Sequence, residues 1–95
     1  VMKPVLTDSE LHLAIPTLKA WKIENDHLVK HFRFADFSEA FAFMSRVALL
    51  SEKLNHHAHW LAVYNKVSLS LQTHESGGIT EKDLEFARMV DDFVD

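Results

Sequence analysis

The sequence predicts an α+β domain in the order αββαββα, with a four-stranded antiparallel sheet covered on one face by three helices. Three observations carry this reading. Two segments alternate apolar and polar residues at every second position, two capping boxes open runs of helical periodicity, and the turns between neighbouring elements are short. Short connections join antiparallel strands and leave the helices to pack on one face.

Residues 1–5 read as a tail. Thr7-Asp8-Ser9-Glu10 is a capping box, and Leu11, Ala14, Ile15 and Leu18 follow at helical spacing. Pro16 lacks an N–H, so the helix should be short and end near Lys19. Trp21 and Ile23 alternate with polar residues as a strand, and Glu24-Asn25-Asp26 is a turn cluster. A second strand runs from His27 to Phe34, with Leu28, Phe32 and Phe34 on one face and His27, His31 and Arg33 on the other.

Ser38 is the expected cap of a central helix that reaches about Asn55. Phe37, Ala40, Phe41, Met44, Val47, Ala48 and Leu54 share its broad apolar face, with Phe43, Leu49 and Leu50 partly off it. A helix apolar on more than one side is buried on more than one side, which a 95-residue chain cannot manage alone, so a subunit contact is expected. Trp60 to Asn65 reads as a third strand and Val67, Leu69 and Leu71 mark a fourth with one wet face. Glu75-Ser76-Gly77-Gly78 is a loop. Thr80-x-x-Asp83 then opens a last helix striped by Leu84, Ala87, Val90 and Val94.

Composition narrows the chemistry. The chain has seven histidines, no cysteine and a formal net charge of −4. Absent cysteine removes disulfides and thiolate sites. The acidic balance speaks against direct nucleic-acid binding, and no apolar run approaches the ~20 residues that span a bilayer. No signal segment is read at the start, so a cytoplasmic protein is expected, folded as the single domain 1–95.

The densest polar constellation is Glu52-x-x-x-His56-His57-Ala58-His59-Trp60, followed by His74 and Asp83. Glu52 and His56 are four apart and share a helix face, and the helix C-terminus favours a protonated imidazole. His74 lies on the wet strand face with Ser68, Ser70 and Gln72. Two histidines on different elements suit general acid–base work near neutrality. The plainer readings are a helix-end cap for His56, a capping carboxylate for Asp83, packing for Trp60 and Tyr64, and surface positions for His12, His27 and His31. A zinc set of His56, His59 and His74 is the rival, without an HExxH pattern to support it.

Glu52-x-x-x-His56-His57-x-x-Trp60, Val63-Tyr64-Asn65-Lys66-Val67, Thr73-His74-Glu75 and Gly78-Ile79-Thr80-x-x-Asp83 together strongly resemble the pterin-4a-carbinolamine dehydratase family. Its animal member is also known as the dimerisation cofactor of hepatocyte nuclear factor 1. The resemblance extends upstream through Trp21 and Phe32-x-Phe34-x-x-Phe37 and covers about Leu6 to Asp92. It implies the αββαββα fold, a homodimer through sheet edges or a homotetramer around the central helices, and loss of water from 4a-hydroxytetrahydropterin to give quinonoid dihydropterin in tetrahydrobiopterin recycling. It implies no metal and no organic cofactor. It makes His56, His57 and His74 the catalytic residues, with His56 and His74 acting as acids on the 4a-hydroxyl and His57 in binding or base work. Glu52, Asn55, Trp60, Ser76 and Asp83 are then the substrate-binding positions, where Glu52 would fix His56 and Asp83 would orient His74 or contact the pterin. The alternative role it implies is a coactivator that binds a transcription-factor dimerisation domain, with a nuclear as well as a cytoplasmic location. Three positions depart from the family pattern: Ala58 stands where Pro is usual, His59 where Glu is usual, and Ser76 where animal members have Cys.

Overall fold

The computed structural model describes residues 4–94. The elements run α1 (Asp8–Ala14) with a 3₁₀ turn (Ile15–Thr17), β1 (Lys22–Glu24), β2 (His27–Arg33), α2 (Phe37–Leu54), β3 (His59–Val63), β4 (Lys66–Leu71) and α3 (Glu81–Val94). The four strands form one antiparallel sheet in the order β1-β2-β4-β3. This is the predicted αββαββα arrangement.

Alternation fixes which face of the sheet is covered. Leu28 pairs with Leu71 and Phe32 with Val67, and these side chains join Leu69 in the core. The intervening residues, including His31 and Ser68, form the opposite face, where the His31 Nδ1 lies 2.7 Å from the Ser68 hydroxyl. The β1–β2 turn is two residues long, and Asn25 and Asp26 both take positive φ (50° and 61°). Asn and Asp tolerate that conformation, and two such residues match the twist of the flanking strands.

Local sequence accounts for the helix ends. Thr7 and Glu10 complete the expected capping box, and α1 gives way to the 3₁₀ turn that holds Pro16. Residues 1–3 of the expected tail lie outside the described residues, but Val5 packs against the domain, and Leu6 is tied to it beside Val5. Leu6 N–H donates to the Ile79 carbonyl (2.8 Å), and Val5 lies so close to Gly78 that a Cβ there would meet its Cγ1 at 2.8 Å. Asp36 rather than Ser38 caps α2, because its carboxylate reaches the Glu39 N–H at 2.9 Å from the first non-helical position.

The predicted apolar face of α2 is turned. Ala40, Phe43, Val47 and Leu50 are buried, whereas Phe37, Phe41 and Leu49 are 50%, 56% and 73% exposed. Phe43 packs on Phe32 and Phe34 with ring centroids 4.7 and 4.9 Å apart, which aims the 37–41 side outward. On α3, Phe86 joins the predicted stripe in the core and Val94 falls outside it.

The far end of α3 is anchored by a buried carboxylate. Asp91 accepts from Trp21 Nε1 at 3.1 Å and from Lys30 Nζ at 2.7 Å. Lys30 is on the core side of β2, and its ammonium also lies 4.9 Å from the centroid of Phe32. Removing one partner of such a pair strands the other charge away from water. Asp91→Ala should therefore lower the unfolding free energy by about 3–5 kcal/mol, read by urea titration followed through Trp fluorescence.

Candidate active site

The site is built where α2 ends. Asn55 adopts the left-handed conformation (φ 50°, ψ 47°), its N–H bonds to the Glu52 carbonyl, and the His56 N–H reaches back to the Ser51 carbonyl at 3.0 Å. This is a Schellman-type stop, normally a glycine position that Asn also tolerates. It reverses the chain within one residue, so consecutive histidines diverge. His56 goes inward and is buried, while His57 stays exposed.

Each of the two imidazoles has its own carboxylate. His56 Nε2 is 2.5 Å from Asp83 Oδ1, and Asp83 has no exposed surface. His57 Nε2 is 2.6 Å from Glu52 Oε2, and this pair is 57% and 76% exposed. The pairing differs from the expectation that Glu52 would fix His56 and that Asp83 would serve His74. The left-handed turn at Asn55 carries His56 away from its own helix face and brings His57 beside Glu52.

His74 lies on a short loop after β4, pinched shut by an antiparallel bridge between Thr73 and Gly78. The Thr73 carbonyl accepts from Gly77 N–H at 2.9 Å, and Gly77 takes φ 72°, a conformation suited to glycine. His74 is exposed, and with Asn55, His56, His57, Ala58, His59, Gln72 and Glu75 it lines a cavity of about 350 Å³. All three predicted catalytic histidines therefore meet in one cavity.

The predicted binding positions divide. Asn55 lines the cavity, while Glu52 and Asp83 reach it through His57 and His56. Trp60 is on β3 opposite Leu69, and Ser76 is in the pinched loop; neither lines the cavity. Gln72 and Glu75 do, though neither was expected to bind substrate. Gln72 was visible as the next wet-face position after Ser68 and Ser70, and its amide is held by donation to the Asp26 carbonyl at 3.2 Å. His59 also lines the cavity, and its ring packs edge-on against His27, with centroids 5.7 Å apart.

A larger cavity of about 710 Å³ opens between α1 and β1, floored by Leu11, Trp21 and Ile79. It presents His12, Lys22 and Asp26 but no pair of facing imidazoles, so size does not make it the chemical site. Among the described residues, no three His, Asp or Glu side chains are grouped to hold a metal ion, and no helix is long and apolar enough to cross a membrane.

An α+β scaffold that gathers several imidazoles, two of them backed by carboxylates, offers groups of the kind that transfer protons. Comparisons with known proteins specify the type. Residues 4–93 match the family described as Pterin 4 alpha carbinolamine dehydratase. A Synechococcus sp. (strain WH7803) protein, provisionally named as a pterin-4-alpha-carbinolamine dehydratase, is 47% identical over 90 residues, covering 95% of this chain and 97% of its own. A Prochlorococcus marinus (strain NATL2A) protein of the same provisional name is 43% identical, with 98% of both chains covered. The crystal structure of a transcriptional coactivator/pterin dehydratase from Brucella melitensis superposes with a TM-score of 0.93 at 39% identity, over 96% of this chain and 99% of that one. A pterin dehydratase-like protein identified as a RuBisCO assembly factor in the α-carboxysome is more distant, with a TM-score of 0.67 and 26% identity. The chain belongs to the pterin-4a-carbinolamine dehydratase family of hydro-lyases.

The left-handed turn makes a direct prediction. Asn55→Gly should keep the fold, whereas Asn55→Val should cost about 1–2 kcal/mol by forcing a β-branched residue into that conformation. Thermal unfolding of the two variants separates these outcomes.

Proposed function

We propose that this chain dehydrates 4a-hydroxytetrahydropterin by imidazole acid–base catalysis, within the recycling of tetrahydrobiopterin. The observation that carries the reading is the convergence of His56, His57 and His74 on one cavity, two of them backed by carboxylates. Hydroxide leaves carbon poorly until it is protonated. A proton from the His74 or His56 imidazole goes to the 4a-hydroxyl, the C4a–O bond breaks with release of water, and the N5 lone pair forms the C4a=N5 bond. N5–H then surrenders its proton to His57, giving the quinonoid dihydropterin. One proton is supplied and one recovered, so the enzyme needs no redox partner for this step.

The carboxylates fit these roles differently. Asp83, buried behind His56, accepts from its Nε2 and holds its ring in place. Glu52 holds the His57 ring from an exposed position, where such a pair contributes less. Asn55, Gln72 and Glu75 supply hydrogen-bonding groups for the polar edge of a flat heterocycle.

The chain is also proposed to work as a homodimer or homotetramer in the cytoplasm. β3 is an exposed edge strand carrying Leu61 and Val63, and α2 presents Phe37, Phe41 and Leu49 outward. Exposed apolar area of this kind marks an interface. A coactivator role on a partner's dimerisation helices is the second reading, favoured by the same α2 face and by the description of the Brucella relative.

Adding the protein to freshly generated 4a-hydroxytetrahydropterin should accelerate the rise of quinonoid absorbance; a rate equal to buffer refutes the reading. His74→Ala should lower that rate by about 10²–10⁴-fold. Leu49→Glu should shift the sedimentation profile toward smaller species, and an unchanged profile removes α2 from the assembly.

A further inference from the structure

The hydrogen bonds behind His56 converge on one acceptor, the Asp83 carboxylate. A carboxylate accepts and does not donate, so Asp83 Oδ1 takes the Nε2–H of His56 and Oδ2 takes the Thr80 N–H at 2.9 Å and the Thr73 hydroxyl at 2.9 Å. Thr73 has one hydroxyl proton, and it is committed to Asp83. The 2.6 Å contact between the Thr73 and Thr80 hydroxyls must therefore run from Thr80 to Thr73. Thr80 Oγ1 in turn accepts the Lys82 N–H at 3.2 Å. The order is the first turn of α3, then Thr80, Thr73, Asp83 and His56, and Thr73, Thr80 and Asp83 are all buried. Each bond in this buried cluster polarises the others.

Thr73 occupies the centre of this chain and also directly precedes His74. Its N–H donates to the Gly78 carbonyl at 2.9 Å and its carbonyl accepts from Ser76 and Gly77. The same residue thus braces the carboxylate behind one site histidine and the loop that carries another.

We propose that Thr73 is a positioning residue for His56: its hydroxyl fixes the Asp83 carboxylate, which holds the neutral imidazole as the Nε2–H tautomer and leaves Nδ1 as the nitrogen that exchanges a proton in the cavity. The catalytic part of this proposal rests on the dehydratase reading, while the tautomer is a property of the resting protein.

The test uses the full chain and two readouts. Nitrogen-15 NMR of the histidine rings should show neutral His56 as the Nε2–H tautomer; an Nδ1–H tautomer in the wild-type protein overturns the proposal. Thr73→Val keeps the shape and removes the hydroxyl. It should move the His56 ring resonances and lower kcat by about 10–100-fold, as loss of a partner behind a site ligand does, with KM little changed. Thr73→Ser restores the hydroxyl and should return both readouts toward wild type, and this conservative variant carries the test if Thr73→Val does not fold. Unchanged His56 resonances in Thr73→Val, or a Thr73→Ser protein in which His56 loses the Nε2–H tautomer, refute the role. If the wild-type chain shows no dehydration at all, the mechanism falls while the ring spectra still decide the positioning claim.

Discussion

A carboxylate with no contact with water is tolerated only when donors meet its oxygens. Asp83 meets that demand with a ring nitrogen from the end of α2, a backbone N–H from the start of α3 and a hydroxyl from the end of β4. The end of α2, the start of α3 and the end of β4 are thereby tied to one point. The two readings of Asp83, helix cap or site carboxylate, are not alternatives. Oδ2 bonds the Thr80 N–H in the reciprocal half of a capping box, and Oδ1 faces His56. The fold requires the cap, and the cap delivers an acidic group to an imidazole.

The parts of the molecule legible in the sequence are those governed by neighbours in the chain. Strand alternation in β2 and β4, the Thr7 and Thr80 helix starts and the Asn25-Asp26 turn all follow from residues a few positions apart. The inward histidine was legible as a residue type but not as a geometry. Spacing on an ideal helix joins Glu52 to His56, yet the helix has ended by then, and one left-handed residue at Asn55 exchanges the partners. Nor does periodicity separate the two apolar sides of α2. The choice is made by Phe32 on β2 and Phe34 just beyond it, which receive Phe43. The Lys30–Asp91–Trp21 cluster joins residues 61 and 70 positions apart, beyond any local pattern.

The outward side of α2 and the free edge of β3 each place several apolar groups at the surface. Phe37, Phe41, Leu49, Leu61 and Val63 do not line the histidine cavity, although β3 begins with His59, which does. Relatives that share this scaffold are described in such different terms as a transcriptional coactivator/pterin dehydratase and a RuBisCO assembly factor.

The two carboxylates at opposite ends of α3 give that helix a particular standing in the dynamics of the molecule. Asp83 in its first turn clasps the site, and Asp91 in its last turns clasps Trp21 and Lys30. Partial openings of small domains release cooperative segments rather than single residues. An excursion that frees α3 breaks both clasps together, exposing Phe86 and Val90 as it dismantles the support of His56. Amide exchange in α3 and persistence of the active geometry are thus two faces of one equilibrium, and a ligand that steadies His56 slows exchange along a helix it never touches.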